Sequence, residues 1–159
     1  MNTQPLIMVT IADPAWTFDA VHYACTMARK TSAAIALVKM VPVHHPLYLG
    51  TDLGYINFSA QDQREMDDYK ATISDYGIEF SSHRVQYVTL GDAIVQAAVE
   101  IRAQTLFATL PHSIIPFWHD VQMYLLHHRL AQHRCELIEN PRLGSQVFSL
   151  ARETLPVQH

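Results

Sequence analysis

Leu6-Ile7-Met8-Val9-Thr10-Ile11-Ala12-Asp13-Pro14 is the stretch that decides the fold of this 159-residue chain. It runs almost without a polar break and then stops at a carboxylate and a proline. A strand with one wet face alternates apolar and polar residues, so a near-continuous run marks a strand covered on both faces. Asp13 and Pro14 read as a helix start. A carboxylate accepts from free backbone N–H groups, and a proline ring already holds the helical φ. Ala20, Val21, Ala24, Met27 and Ala28 follow at helical spacing and form one apolar stripe.

The same alternation continues outward. Ala33 to Val41 is a second buried strand, with Pro42 helping to end it. Val43 to Phe58 is irregular and rich in His, Pro, Gly and Tyr, a length typical of functional or mobile loops. Its apolar residues Leu47, Tyr48, Leu49, Tyr55 and Phe58 have two open readings: a lid or partner surface, or a loop folded back onto the core. Ser59 opens a polar helix carrying Met66, Tyr69, Ile73 and Tyr76 on one face, with Gly77 where a C-terminal cap belongs. Phe80 to Val88 is a more polar strand, placed nearer a sheet edge. Gly91-Asp92 starts a helix that buries Ile94, Ala97, Ala98 and Ile101, and Thr105 to Leu110 is a fourth strand. After a turn from Pro111 to Pro116, a fourth helix spans Phe117 to Gln132. Phe117, Val121, Tyr124, Leu125 and Leu130 are its expected buried face. Glu136 to Ile138 is a short fifth strand.

Strands alternating with helices predict an α/β fold of the Rossmann-like, three-layer α/β/α kind around a parallel sheet. Residues 1–140 form one domain, and 141–159 a tail whose patch Val147 to Leu150 is a candidate extra strand or dimer contact. In such sheets ligands bind beyond the carboxyl ends of the strands, which selects the loops after Ala12, Val41 and Leu110.

Composition narrows the function. About half the residues are apolar (49%), and the net charge is −4 with no run of Lys or Arg, which argues against a nucleic-acid partner. No apolar stretch approaches the roughly 20 residues that a membrane span requires. The first residues lack the basic start of a secretory leader, so a cytoplasmic location without membrane attachment is expected. Cys25 and Cys135 are far apart in sequence and read as small buried hydrophobes. Ten histidines would carry the charge from −4 to +6 if all were protonated.

Several local patterns resemble the universal stress protein family. They are Met8-Val9-Thr10-Ile11-Ala12-Asp13, Met40-Val41-Pro42, Gly91-Asp92-Ala93, Ala97-Ala98-Val99-Glu100 and Leu130-Ala131-Gln132-His133-Arg134-Cys135, in that order. The resemblance spans Leu6 to Ile138 and implies a five-stranded parallel sheet of order 3-2-1-4-5, usually in a homodimer. Many members bind ATP, others do not, and the family implies stress-response or signalling modules without an established reaction. In ATP-binding members a glycine signature follows the fourth strand. Counted back from Cys135, its positions here hold Leu110, Ser113, Met123 and Tyr124. No glycine occurs between Gly91 and Gly144, so a shifted alignment does not restore the pattern. Glycine lets backbone N–H groups approach phosphate, and Pro111 also removes a donor. ATP binding in the family manner is therefore not expected, although free N–H groups at the start of the fourth helix leave room for an anion.

Asp13 falls where the family has an acidic residue near the nucleoside, and Val41 where backbone meets adenine. The bland readings are a helix cap for Asp13 and sheet core for Val41. With the family's strand order, Asp13, His44, His45, His112 and Ser113 share one rim. Imidazoles and a carboxylate there suit a transition metal or acid/base chemistry, without a local motif to support either. His127, His128 and His133, on or just after the fourth helix, are read as solvated.

Three functions follow. The first is a non-enzymatic regulatory module, homodimeric or docking a protein partner. The second is a binder of an ATP- or AMP-type nucleotide or other small ligand at the rim, using Asp13 and the turn after the fourth strand. The third is a metal or enzyme site on Asp13, His44, His45 and His112.

Overall fold

A computed structural model describes residues 3–55, 58–112, 114–115 and 117–141. Five parallel strands form one sheet: β1 (Leu6–Ile11), β2 (Ala34–Pro42), β3 (Phe80–Tyr87), β4 (Thr105–Phe107) and β5 (Glu136–Ile138). Their order is β3-β2-β1-β4-β5. The crossovers are α1 (Pro14–Thr31), α2 (Ala60–Asp75), α3 (Leu90–Glu100) and α4 (Trp118–Gln132). This is the α/β fold expected from the alternating elements, with the strand order that the family resemblance implies.

β1 pairs with β2 from Leu6↔Ala34 to Ile11↔Lys39 and with β4 from Ile7↔Thr105 to Val9↔Phe107. Successive side chains of a strand point to opposite faces. Ile7, Val9 and Ile11 therefore pack with Ala20, Val21 and Ala24 of α1 and Met66, Tyr69 and Ile73 of α2. Met8 packs on the other face with Ile94 and Ala98 of α3 and Met123, Leu126 and Leu130 of α4. The two cores are the two sides of one sheet, which makes the three layers.

α1 starts as the residues dictate: the Asp13 carboxylate accepts from Trp16 N–H, and Pro14 occupies the first turn. Ser59 and Asp62 cap α2 reciprocally. Ser59 Oγ accepts from Asp62 N–H at 3.1 Å, and Asp62 Oδ2 accepts from Ser59 N–H at 2.8 Å. Lys39 Nζ lies 3.1 Å from Asp62 Oδ1 and ties this cap to β2. Gly77 ends the helix at φ +71°, a conformation that favours glycine.

β3 is an edge strand and its middle is exposed, as its polar sequence suggested. The loop before α2 answers both readings at once. Arg84 of β3 lies 5.2 Å from the Tyr55 ring centroid and 4.9 Å from that of Phe58, so these two rings fold back over the sheet edge. Gln86 holds the same loop by accepting from Gly50 N–H and donating to Thr51 O. Leu47, Tyr48 and Leu49 stay exposed. The loop is not wholly irregular, since two short 3-10 helices form at Pro46–Tyr48 and Asp52–Tyr55.

The buried face expected for α4 is corrected by the structure. Of Phe117, Val121, Tyr124, Leu125 and Leu130, only Leu130 is buried; Tyr124 is 70% exposed and Phe117 66%. The helix instead buries His119, Met123, Leu126 and Leu130. Those positions are spaced four, three and four apart, the narrow stripe that follows one helix face. Phe117, Val121, Tyr124 and Leu125 form a second apolar stripe on the opposite face, and periodicity alone does not say which of the two turns inward. β4 also stops at Phe107, three residues before the end expected at Leu110. The strand considered from Val147 to Leu150 lies outside the described residues. Among the described residues, no helix is long and apolar enough to cross a membrane.

Three outcomes follow from this packing. Ser59→Ala removes half of the reciprocal cap and is expected to cost about 1 kcal/mol in urea unfolding. Burial acts to raise the Asp62 pKa, but the Ser59 hydrogen bonds and the Lys39 ammonium outweigh it and hold the carboxyl below its ordinary value. A depressed folded pKa gives stability that is complete above the unfolded value and is lost as pH falls through the folded one. Asp62→Asn should therefore flatten the acid limb of the stability profile below the usual carboxylate range, with little change in its slope near neutrality. Burial also pushes the Cys25 and Cys135 thiols up to about 11. Both are expected to resist alkylation at pH 8 until the protein is denatured.

Candidate functional site at the rim of the sheet

A cleft of about 440 Å³ opens beyond the carboxyl ends of the central strands. Its walls come from the end of β1 (Thr10 to Asp13), the first turn of α1 (Trp16), Met40 of β2, Tyr87 of β3, α3, and Thr109 to His112 after β4. The volume lies in the range of small-ligand sites.

Side chains, not glycines, hold these turns. Thr17 Oγ1 accepts from Ala12 N–H at 2.9 Å, and its hydroxyl donates to Asp13 O at 2.9 Å. This fixes the exit from β1 and aims Asp13 back at its own helix, where Oδ2 accepts from Trp16 N–H at 3.1 Å. Thr10 Oγ1 donates to Phe107 O at 3.0 Å and locks β1 to β4 below the cleft. Trp16 Nε1 donates to Glu139 O at 2.8 Å and ties α1 to the segment after β5.

His119, which the sequence reading passed over, organises the other side. It is 8% exposed, and its Nε2 lies 3.1 Å from Leu110 O. A carbonyl only accepts, so Nε2 carries the proton. The ring sits 4.4 Å, centroid to centroid, from that of His112, and Glu139 Oε1 is 3.7 Å from Nε2. The imidazole thus joins the turn after β4 to the start of α4. The spacing of His119 with Met123, Leu126 and Leu130 places the four on one helix face, but nothing local marks that face as the buried one.

Of the residues matched to the family's nucleotide pocket, the cleft brings together Asp13, Leu110 and His112. Val41 is buried in the sheet core, Met123 packs under α4, and Tyr124 points outward, so none of the three lines it. Ser113 lies outside the described residues. His44 and His45 are exposed and do not line the cleft, and His45 Nδ1 instead accepts from Leu47 N–H. Among the described residues no group of three or more His, Cys, Asp or Glu is placed to hold a metal. His127, His128 and His133 are exposed.

The electrostatics of the cleft are those of an acid without a counter-cation. Among the described residues that line it there is no Lys or Arg, and Asp13 is its only carboxylate. Burial raises the Tyr87 pKa, so the phenol stays neutral. At the start of α4 Trp118 N–H bonds Ile115 O, and Asp120 places a carboxylate in the first turn, which disfavours a second anion there.

Solved proteins share this fold. A member of the universal stress protein family from Burkholderia pseudomallei covers 89% of this chain and 98% of its own, with 20% identity and a TM-score of 0.64. The fold is that of the universal stress proteins. A universal stress protein in complex with cAMP shares the fold over 84% of this chain and 94% of its own, at 15% identity and a TM-score of 0.55. One from Archaeoglobus fulgidus in complex with dAMP covers 87% and 100%, at 15% identity and a TM-score of 0.50. At these identities the likeness carries the fold. No protein-family model and no curated protein matches the sequence.

The bond from His119 to Leu110 gives the test of this rim. His119→Ala leaves a buried carbonyl without its donor and should cost about 1–3 kcal/mol in urea unfolding, with the m-value unchanged.

Proposed function

We propose that this chain is a non-catalytic regulatory module whose rim cleft binds a nucleoside or nucleoside monophosphate and discriminates against ATP. The observation that carries this reading is the cleft itself: an apolar floor, one carboxylate, and no lysine or arginine among its described lining residues. Met40, Tyr87 and Ile94 offer an apolar and aromatic surface for a flat base, and the Asp13 carboxylate offers an acceptor for a sugar hydroxyl. A triphosphate brings several negative charges to Asp13 and to the Asp120 end of α4, with no lining cation to offset them. Leu110 and Pro111 stand in the turn after β4, where one brings bulk and the other lacks an N–H. That universal stress proteins of this fold were solved with cAMP and dAMP supports an adenine monophosphate as the ligand class.

Calorimetry with adenosine, AMP and Mg-ATP tests the order of affinities. Adenosine or AMP should bind at least roughly tenfold more tightly than ATP, a gap of about 1.4 kcal/mol. Asp13→Asn keeps a capping side chain while removing the charge, so it should weaken adenosine and narrow the gap to ATP. ATP binding as tightly as adenosine would overturn the reading.

A further inference from the structure

α4 is apolar on two sides. One side faces the core through Met123, Leu126 and Leu130. The opposite side carries Phe117, Trp118, Val121, Tyr124 and Leu125, exposed by 66%, 45%, 39%, 70% and 51%. Phe117 directly precedes the helix, and these positions recur at spacings of three and four, so they form a continuous stripe from its first turn to its middle. A helix that is apolar on opposite faces is normally covered on both. Contiguous exposed apolar surface on this scale marks a docking site.

We infer that this stripe is the docking site of the chain's own C-terminal segment, residues 142–159. The path of the chain argues for this occupant. Past β5 the backbone is pinned beside the start of α4: Glu139 O accepts from Trp16 Nε1, and Glu139 Oε1 lies 3.7 Å from Nε2 of His119, the residue after Trp118. Pro141 is buried, and the chain then continues for 18 residues. That length reaches up to roughly 60 Å when extended. The 15 residues of α4 measure only about 22 Å along the axis. The segment carries the complementary chemistry, with Val147, Phe148, Leu150 and Leu155 able to cover the stripe and Arg142 available to the Asp120 carboxylate, which is 88% exposed.

Trp118 reports on the cover directly. Acrylamide quenching is measured on the full chain and on the full-length double variant Val147→Asp/Leu150→Asp, each also in a Trp118→Phe background to subtract Trp16. Far-UV circular dichroism verifies that the variants are folded. If the segment covers its own α4, the quenching constant of Trp118 roughly doubles in the double variant, and the protection in the parent does not depend on protein concentration. Equal quenching in parent and variant would mean an open face and would overturn the inference. Protection that fades on dilution would overturn it in favour of a second copy of the chain.

Discussion

β1 is dry on both faces; its six residues pair with β2 on one side, and Ile7, Met8 and Val9 pair with β4 on the other. A strand in that position has no polar face to give to water, so both sides of the sheet require helices. Parallel pairing then requires each strand to be followed by a crossover that returns the chain to the same end. The four helices, the two cores and the gathering of loop ends at one rim all follow from this demand. The cleft exists because β1, β2 and β4 finish at that rim while the helices begin above it.

The rim is shaped by side-chain hydrogen bonds where a phosphate site would use bare backbone. Thr17 closes the turn at Asp13, Trp16 reaches Glu139, and His119 donates to Leu110. Each of these bonds occupies a backbone group, and none adds a positive charge to the cleft. A cleft so built is largely apolar, with Asp13 its one carboxylate among the described lining residues. Those properties are the ones on which the proposed preference for a nucleoside over a polyanion rests.

The edges and the outer helix face show where the fold is less self-contained. β3 tolerates its edge position because Ser82, His83 and Arg84 are at home in water, and because Tyr55 and Phe58 close over Arg84. Among the described residues nothing comparable closes over the outer side of α4, where Phe117, Trp118 and Tyr124 are exposed.

The sequence alone determined the element order, the buried strands and the helix caps at Asp13 and Ser59, because these depend on local periodicity and on atoms a few residues apart. It also determined that no glycine lies between Gly91 and Gly144, since composition is independent of folding. The buried face of α4 was not legible. Its aromatic residues suggested one stripe, whereas burial went to His119, Met123, Leu126 and Leu130, because only contact with β4, β5 and α3 selects which side of a doubly apolar helix turns inward. The site divided in the same way. Asp13, Leu110 and His112 were readable as neighbours of strand ends, but His119 was not, because its partner is a carbonyl nine residues away that only the closed turn presents. Local pattern sets which elements form, and tertiary packing decides which of their faces meet.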